Sequence, residues 1–136
     1  MTGLRELVVD SSALMAVALD EPQASTMAEA MASARCTMSV GNWLEVTIVA
    51  DSRSAALGAR LDDVIAKAGI QRIPVTEQQA DVAREAYRRF GKGSGSKARL
   101  NYGDCLAYAL SITSGAPLLF VGDDFTHTDV SREHRS

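Results

Sequence analysis

With 136 residues, 46% of them hydrophobic and 23% charged, the chain has the composition of a folded globule and is long enough to bury a core. Fourteen Lys and Arg against seventeen Asp and Glu give a net charge of −3, which argues against a simple basic nucleic-acid-binding module. It does not argue against an enzyme whose acids bind cations, because a metal cancels them locally. Cys36 and Cys105 lie far apart without a CxxC pattern and read as two small buried hydrophobes in a reducing compartment. The apolar run behind Arg5 and Glu6 is too short for a signal peptide, and no stretch approaches the roughly 18–20 apolar residues of a membrane helix. These features predict a cytoplasmic protein with no membrane segment.

The first predicted element, Leu4–Val9, is a buried strand that ends abruptly in Asp10. Ser11 or Ser12 is expected to cap the helix Ser12–Leu19, which Asp20-Glu21-Pro22 stops. Gln23–Ala34 carries Ala24, Met27, Ala28, Met31 and Ala32 at helical spacing. Cys36–Val40 predicts a second strand, punctuated by Gly41 and Asn42, and Trp43–Asp51 a helix. Leu57, Leu61, Val64, Ile65 and Ala68 form a helical stripe that Gly69 ends. Ile70–Val75 reads as the third strand, and Thr76 with Gln79 as a capping box for the helix Glu77–Phe90. Gly91–Lys97 has the composition of a flexible loop. The helix from about Tyr102 to Ser114 is broken by Gly115-Ala116-Pro117, before a fourth, fully apolar strand, Leu118–Val121. The polar last residues are expected to fray. Strands alternating with helices predict an α/β fold, with a parallel central sheet of four or five strands flanked by helices on both faces. Neither a repeat nor a linker divides the chain, so residues 1–136 are expected to form one domain.

Open α/β sheets place ligands at the carboxyl ends of their strands. Asp10 ends the first strand, Glu45 and Asp104 are expected in first turns of helices, and Asp123 and Asp124 follow the fourth strand. Any one acid in a first turn has a bland explanation in the helix dipole. Several converging carboxylates raise one another's pKa and call for a cation, and oxygen-only ligands select Mg²⁺ or Mn²⁺ over zinc. Both histidines, His127 and His134, lie in the tail, and no serine sits in a G-x-S-x-G elbow. Metal-assisted hydrolysis is the chemistry that remains. Arg84, Arg88, Arg89, Lys92, Lys97 and Arg99 cluster just ahead of Asp104. They read equally as a solvated helix face with a loop, or as a track for phosphates.

Four motifs, Val9-Asp10-Ser11-Ser12-Ala13-Leu14, Leu44-Glu45, Leu100-Asn101-Tyr102-Gly103-Asp104-Cys105 and Gly122-Asp123-Asp124-Phe125 with Thr128-Asp129, occur in an order that resembles the PIN domain. The resemblance is greatest to the VapC-type ribonuclease toxins of bacterial toxin–antitoxin pairs. It implies a Mg²⁺- or Mn²⁺-dependent endoribonuclease, usually a homodimer, that a cognate VapB-type antitoxin neutralises. The family's acidic quartet falls on Asp10, Glu45, Asp104 and one of Asp123 and Asp124, the choice between these two staying open. Ser12 matches a position whose hydroxyl supports the site, and Asp129 is a weaker candidate. Lys92, Lys97 and Arg99 are expected to hold the RNA backbone. Trp43 reads as core or antitoxin contact in preference to a base-stacking platform. The apolar residues Leu14, Met15, Val17, Leu19, Met27 and Met31 read as core, with a groove there able to accept an antitoxin helix. The alternatives are a catalytically silent PIN-like module that binds RNA or a partner, and a housekeeping nuclease without antitoxin. A haloacid-dehalogenase-type hydrolase would need an aspartate where Ser12 stands. A dinucleotide site would need glycines after the first strand, and a P-loop a Ser or Thr after Lys92.

Overall fold

The computed structural model describes residues 3–133, so His134 and the end of the tail lie outside the described residues. The strands are β1 (Glu6–Val9), β2 (Arg35–Ser39), β3 (Gln71–Ile73) and β4 (Leu118–Leu119). The helices are α1 (Ser11–Ala18), α2 (Ala24–Ala32), α3 (Val40–Arg53), α4 (Ala55–Ala68), α5 (Glu77–Phe90) and α6 (Tyr102–Ser114). The sheet runs β3-β2-β1-β4, and every neighbouring pair is parallel. β1 is therefore central, with Leu7, Val8 and Val9 at most 1% exposed. The pleat divides its side chains between two cores. Leu7 and Val9 face the core built with α1, α2, α3 and α4, and Val8 the core built with α5 and α6. Among the described residues no helix is long and apolar enough to cross a membrane.

The expected architecture holds, with shorter strands. Leu4 is exposed and β1 starts at Glu6, the third strand keeps only Gln71–Ile73, and the fourth only its first half, Leu118–Leu119. The chain returns along the far side of β4 through a single parallel bridge between Leu118 and Arg132. Leu118 N–H donates to Ser131 O (2.8 Å) and Glu133 N–H to Leu118 O (3.1 Å), so a fifth strand is present only as this bridge. α3 begins at Val40, directly on the end of β2, which puts Gly41 and Asn42 inside its first turn rather than before it. The room there decides the residue: a Cβ on Gly41 would sit 2.7 Å from Leu106 Cδ1. The Gly91–Lys97 segment belongs to a loop laced by its own hydroxyls. Ser94 Oγ donates to Gly91 O (2.7 Å) and accepts Ser96 N–H (3.2 Å), while Ser96 Oγ accepts Ala98 N–H (3.1 Å). Phe90 O accepts Leu100 N–H (2.7 Å) and Leu100 O accepts Lys92 N–H (3.0 Å), closing it at the base.

Candidate active site

Asp10 leaves β1 at its carboxyl end, held in register because its N–H donates to Leu119 O (3.0 Å). It is the N-cap of α1 itself, which corrects the expectation that Ser11 or Ser12 would cap that helix. Asp10 Oδ2 accepts Ser12 N–H (3.0 Å) and Ser12 Oγ–H (2.6 Å). Ser12 Oγ in turn accepts Val121 N–H (3.0 Å), so one hydroxyl ties Asp10 to the chain leaving β4. Asp10 is only 6% exposed. Burial pushes its carboxyl above the ordinary value, the Ser12 bonds lower it in part, and the charge of Asp124 raises it again.

Asp104 sits in the first turn of α6 in a reciprocal capping box. Asn101 Oδ1 accepts Asp104 N–H (2.8 Å), and Asp104 Oδ2 accepts Asn101 N–H (3.0 Å). Burial raises the Asp104 carboxyl to about 6, the Asn101 bond opposes this, and the charges of Asp10, Asp124 and Glu45 add to it. Acids from β1, α3 and the segment after β4 thus all bear on the start of α6. Asp123 is absent from that group; it lines a separate hollow with Met27, Phe120 and Arg132.

Glu45 is in the second turn of α3, since that helix starts at Val40. The helix-dipole explanation offered for a first-turn acid therefore does not apply to it. Its carboxylate lies over Gly103, where a Cβ would come within 2.5 Å of Glu45 Oε1. Asn42, read from sequence as punctuation after the second strand, ties the two helices together. It is 2% exposed, and its Nδ2–H donates to Gly103 O at 2.9 Å. The only sequence signal for it was an amide three residues before Glu45.

Among the described residues no three His, Cys, Asp or Glu side chains already stand in a metal-binding arrangement. Asp10 and Asp104 each commit one oxygen, Oδ2, to the hydrogen bonds just described. The donor chemistry nonetheless fits a hard divalent cation: the gathered groups are carboxylates, and their mutual repulsion is relieved by positive charge. Cys105 is next to Asp104 but buried, with its thiol pushed up to about 11, so it offers no thiolate for a softer metal.

The other candidates divide. Lys92, Lys97 and Arg99 are all exposed on the loop between α5 and α6. Arg88 pairs with Glu85 (3.5 Å) and Arg89 with Asp129 (3.8 Å). Asp129 also accepts Tyr108 Oη–H at 2.5 Å, so it anchors the C-terminal segment to α6. Trp43 is partly buried against the first core, with the Arg72 guanidinium 4.1 Å above its ring. Leu14, Met27 and Met31 are core, while Met15 and Val17 are half-buried and Leu19 is 37% exposed.

Residues 7–131 match the PIN domain family. Ribonuclease VapC28 of Mycobacterium tuberculosis is 47% identical over 128 residues, covering 93% of this chain and 96% of that protein. Ribonuclease VapC of Mycolicibacterium smegmatis is 47% identical over 130 residues, covering 94% of this chain and all (100%) of that one. Among solved structures, VapBC2 from Rickettsia felis bound to a DNA fragment from their promoter has the same fold. Its TM-score is 0.72 at 13% identity, over 94% of this chain and 97% of that chain. The chain belongs to the PIN domain family, in the VapC group of ribonucleases.

Proposed function

We propose that this protein is a divalent-metal-dependent endoribonuclease that hydrolyses RNA phosphodiester bonds and acts as the toxin of a toxin–antitoxin pair in the cytoplasm. The observation that carries the mechanism is the convergence of charge on Asp104 from Asp10, Asp124 and Glu45, three segments distant in sequence. Asp10, Asp104 and Asp124 would hold the metal, Mg²⁺ or Mn²⁺. Asp124 is preferred to Asp123 because its charge reaches both Asp10 and Asp104. When bound, such an ion lowers the pKa of a water and neutralises charge on a phosphoryl oxygen. Glu45 lies beside the first turn of α6, where it would orient that water or take its proton. Ser12 keeps Asp10 oriented through a 2.6 Å hydrogen bond. Lys92, Lys97 and Arg99 would hold the RNA backbone through its phosphates.

Two further features support the biological setting. The two mycobacterial relatives are named as VapC ribonucleases, and the Rickettsia felis structure is of VapBC2 bound to a DNA fragment from their promoter. A VapB-type antitoxin would fit the cavity of about 600 Å³ that Val17, Met31, Val64 and Lys67 help to line between α1, α2 and α4. Val40, Leu44 and Ile48 are exposed at i, i+4, i+8 on α3, an apolar stripe suited to a homodimer. A catalytically silent scaffold has no use for a set of acids that repel one another.

The test is Asp10→Asn, which keeps the shape and an acceptor for Ser12 but removes the charge. Mg²⁺-dependent cleavage of single-stranded RNA is expected to disappear while the circular dichroism spectrum is kept. Cleavage at the wild-type rate by that variant would remove Asp10 from the mechanism. Co-purification with the product of an adjacent gene, and relief of growth arrest on co-expression, test the toxin reading separately.

A further inference from the structure

A cavity of about 510 Å³ opens between α5 and the N-terminal half of α6, within the range of small-molecule sites. Its floor is small and apolar, Ala83 from one helix and Cys105 and Leu106 from the other, with Ala80 exposed at its edge. Two tyrosines stand at its rim, Tyr87 at 45% and Tyr102 at 77% exposed. Tyr102 opens α6 two residues before Asp104, roughly 200° round the helix from it, so the rim lies on the α5 side of α6 and Asp104 on another face. Tyr87 is set by its neighbour: a Cβ on Gly91 would meet Tyr87 Cδ1 at 2.6 Å, so the glycine lets the ring lie directly against the backbone. Arg84 and Lys92 complete the wall, both exposed. Among the described residues neither makes an ion pair, unlike Arg88 and Arg89 on the same helix. Asn101 spends Oδ1 on capping α6, which leaves its Nδ2 as a donor at the same rim.

An apolar floor, exposed aromatic faces and unpaired cations match a nucleobase with its flanking phosphates better than an acidic or purely aliphatic ligand. Every base has a π-face to stack, and the phosphates on either side carry the charge that Arg84 and Lys92 lack. We propose that this cavity is a nucleobase subsite for the RNA substrate, in which a base of the bound strand stacks on Tyr102 while Arg84 and Lys92 hold the adjoining phosphates. The subsite rests on the ribonuclease reading and adds to it where the substrate lies: over the α5 side of α6, and not only along the loop that carries Lys97 and Arg99.

The test uses the full chain in an Asp10→Asn background, so that RNA is bound and not cut. A short fluorescein-labelled single-stranded RNA of mixed sequence is titrated by anisotropy at several salt concentrations. Tyr102→Ala is expected to weaken binding roughly 5- to 150-fold, as for loss of one stacked base, with the salt slope unchanged. Tyr102→Phe should bind as the parent does. Arg84→Gln with Lys92→Gln should flatten the salt slope by roughly 1.4, the value for two phosphate contacts on a single strand. If Tyr102→Ala binds as tightly as the parent, while the wild-type chain still cuts RNA, the subsite is wrong and the ribonuclease reading stands. If the wild-type chain neither binds nor cuts the oligonucleotide, the ribonuclease reading itself falls. If Tyr102→Ala instead turns a dimer into a monomer in sedimentation, the cavity is an interface between copies and the proposal is overturned.

Discussion

Asp104→Asn is expected to make the metal-free protein more stable while destroying its activity. The carboxyl of Asp104 is raised from 3.8 to about 6, mainly by burial and further by the charges of Asp10, Asp124 and Glu45. A raised carboxyl favours folding fully below its unfolded pKa and loses that advantage as pH rises towards the folded one. The wild-type chain therefore gives up stability between about pH 4 and about pH 6 and gains none back above it. Two pKa units correspond to roughly 3 kcal/mol, and partial solvent exposure reduces this to about 1–3 kcal/mol. For a chain of this length that is a rise of roughly 3–10 °C in Tm at pH 7. Asn retains an oxygen able to accept the Asn101 N–H, so the capping box is kept and the change isolates the charge. The assay is thermal melting of both proteins in EDTA at pH 7 and near pH 4, repeated at pH 7 with Mg²⁺. The variant should lead at pH 7 in EDTA, lose most of its lead near pH 4, and gain less than the wild type from Mg²⁺. Equal melting at pH 7, or a lead undiminished by acid, would refute the account of a strained acid cluster.

Two other substitutions test how the site is held. Asn42→Ala leaves the buried Gly103 carbonyl without its 2.9 Å donor, which should cost about 1–3 kcal/mol in urea unfolding and lower cleavage by loosening Glu45 against Asp104. Asp129→Asn should cost about 1 kcal/mol, because it weakens the bond to Tyr108 Oη and the Arg89 ion pair, yet leave the Mg²⁺ dependence of cleavage unchanged. A large shift in the Mg²⁺ requirement of that variant would return Asp129 to the acid cluster.

Much of the fold could be read along the chain because its signals were local. Gly69 and Gly115 end α4 and α6 in the left-handed conformation, and Thr76 Oγ1 accepts Gln79 N–H, one half of the expected capping box. The failures came where tertiary packing overrode propensity. Val40, Gly41 and Asn42 are poor helix formers, yet they make the first turn of α3 because α6 packs against them through Leu106 and Gly103. That shift moved Glu45 into the second turn and hid Asn42. The capping of α1 went to Asp10 because its carboxylate reaches Ser12 N–H, which an acid at a strand end does on either reading. Strand length was over-read in β3 and β4, since an apolar run does not say where its hydrogen-bonding partner stops; Val75 is 39% exposed. The preference for Asp124 over Asp123 depends on how the segment after β4 folds back, and adjacent identical residues carry no such signal.

The order of the sheet has a consequence for how the protein is made. β1 is made before every other strand of the sheet, yet one of its two hydrogen-bonding neighbours, β4, is the last strand in chain order. Until Leu118 and Leu119 arrive, the Val8-Val9 edge is open and Asp10 has neither the Leu119 carbonyl nor Asp124 beside it. A chain that stops short of β4 therefore carries an unpaired edge along β1, the kind of surface that invites pairing with another chain.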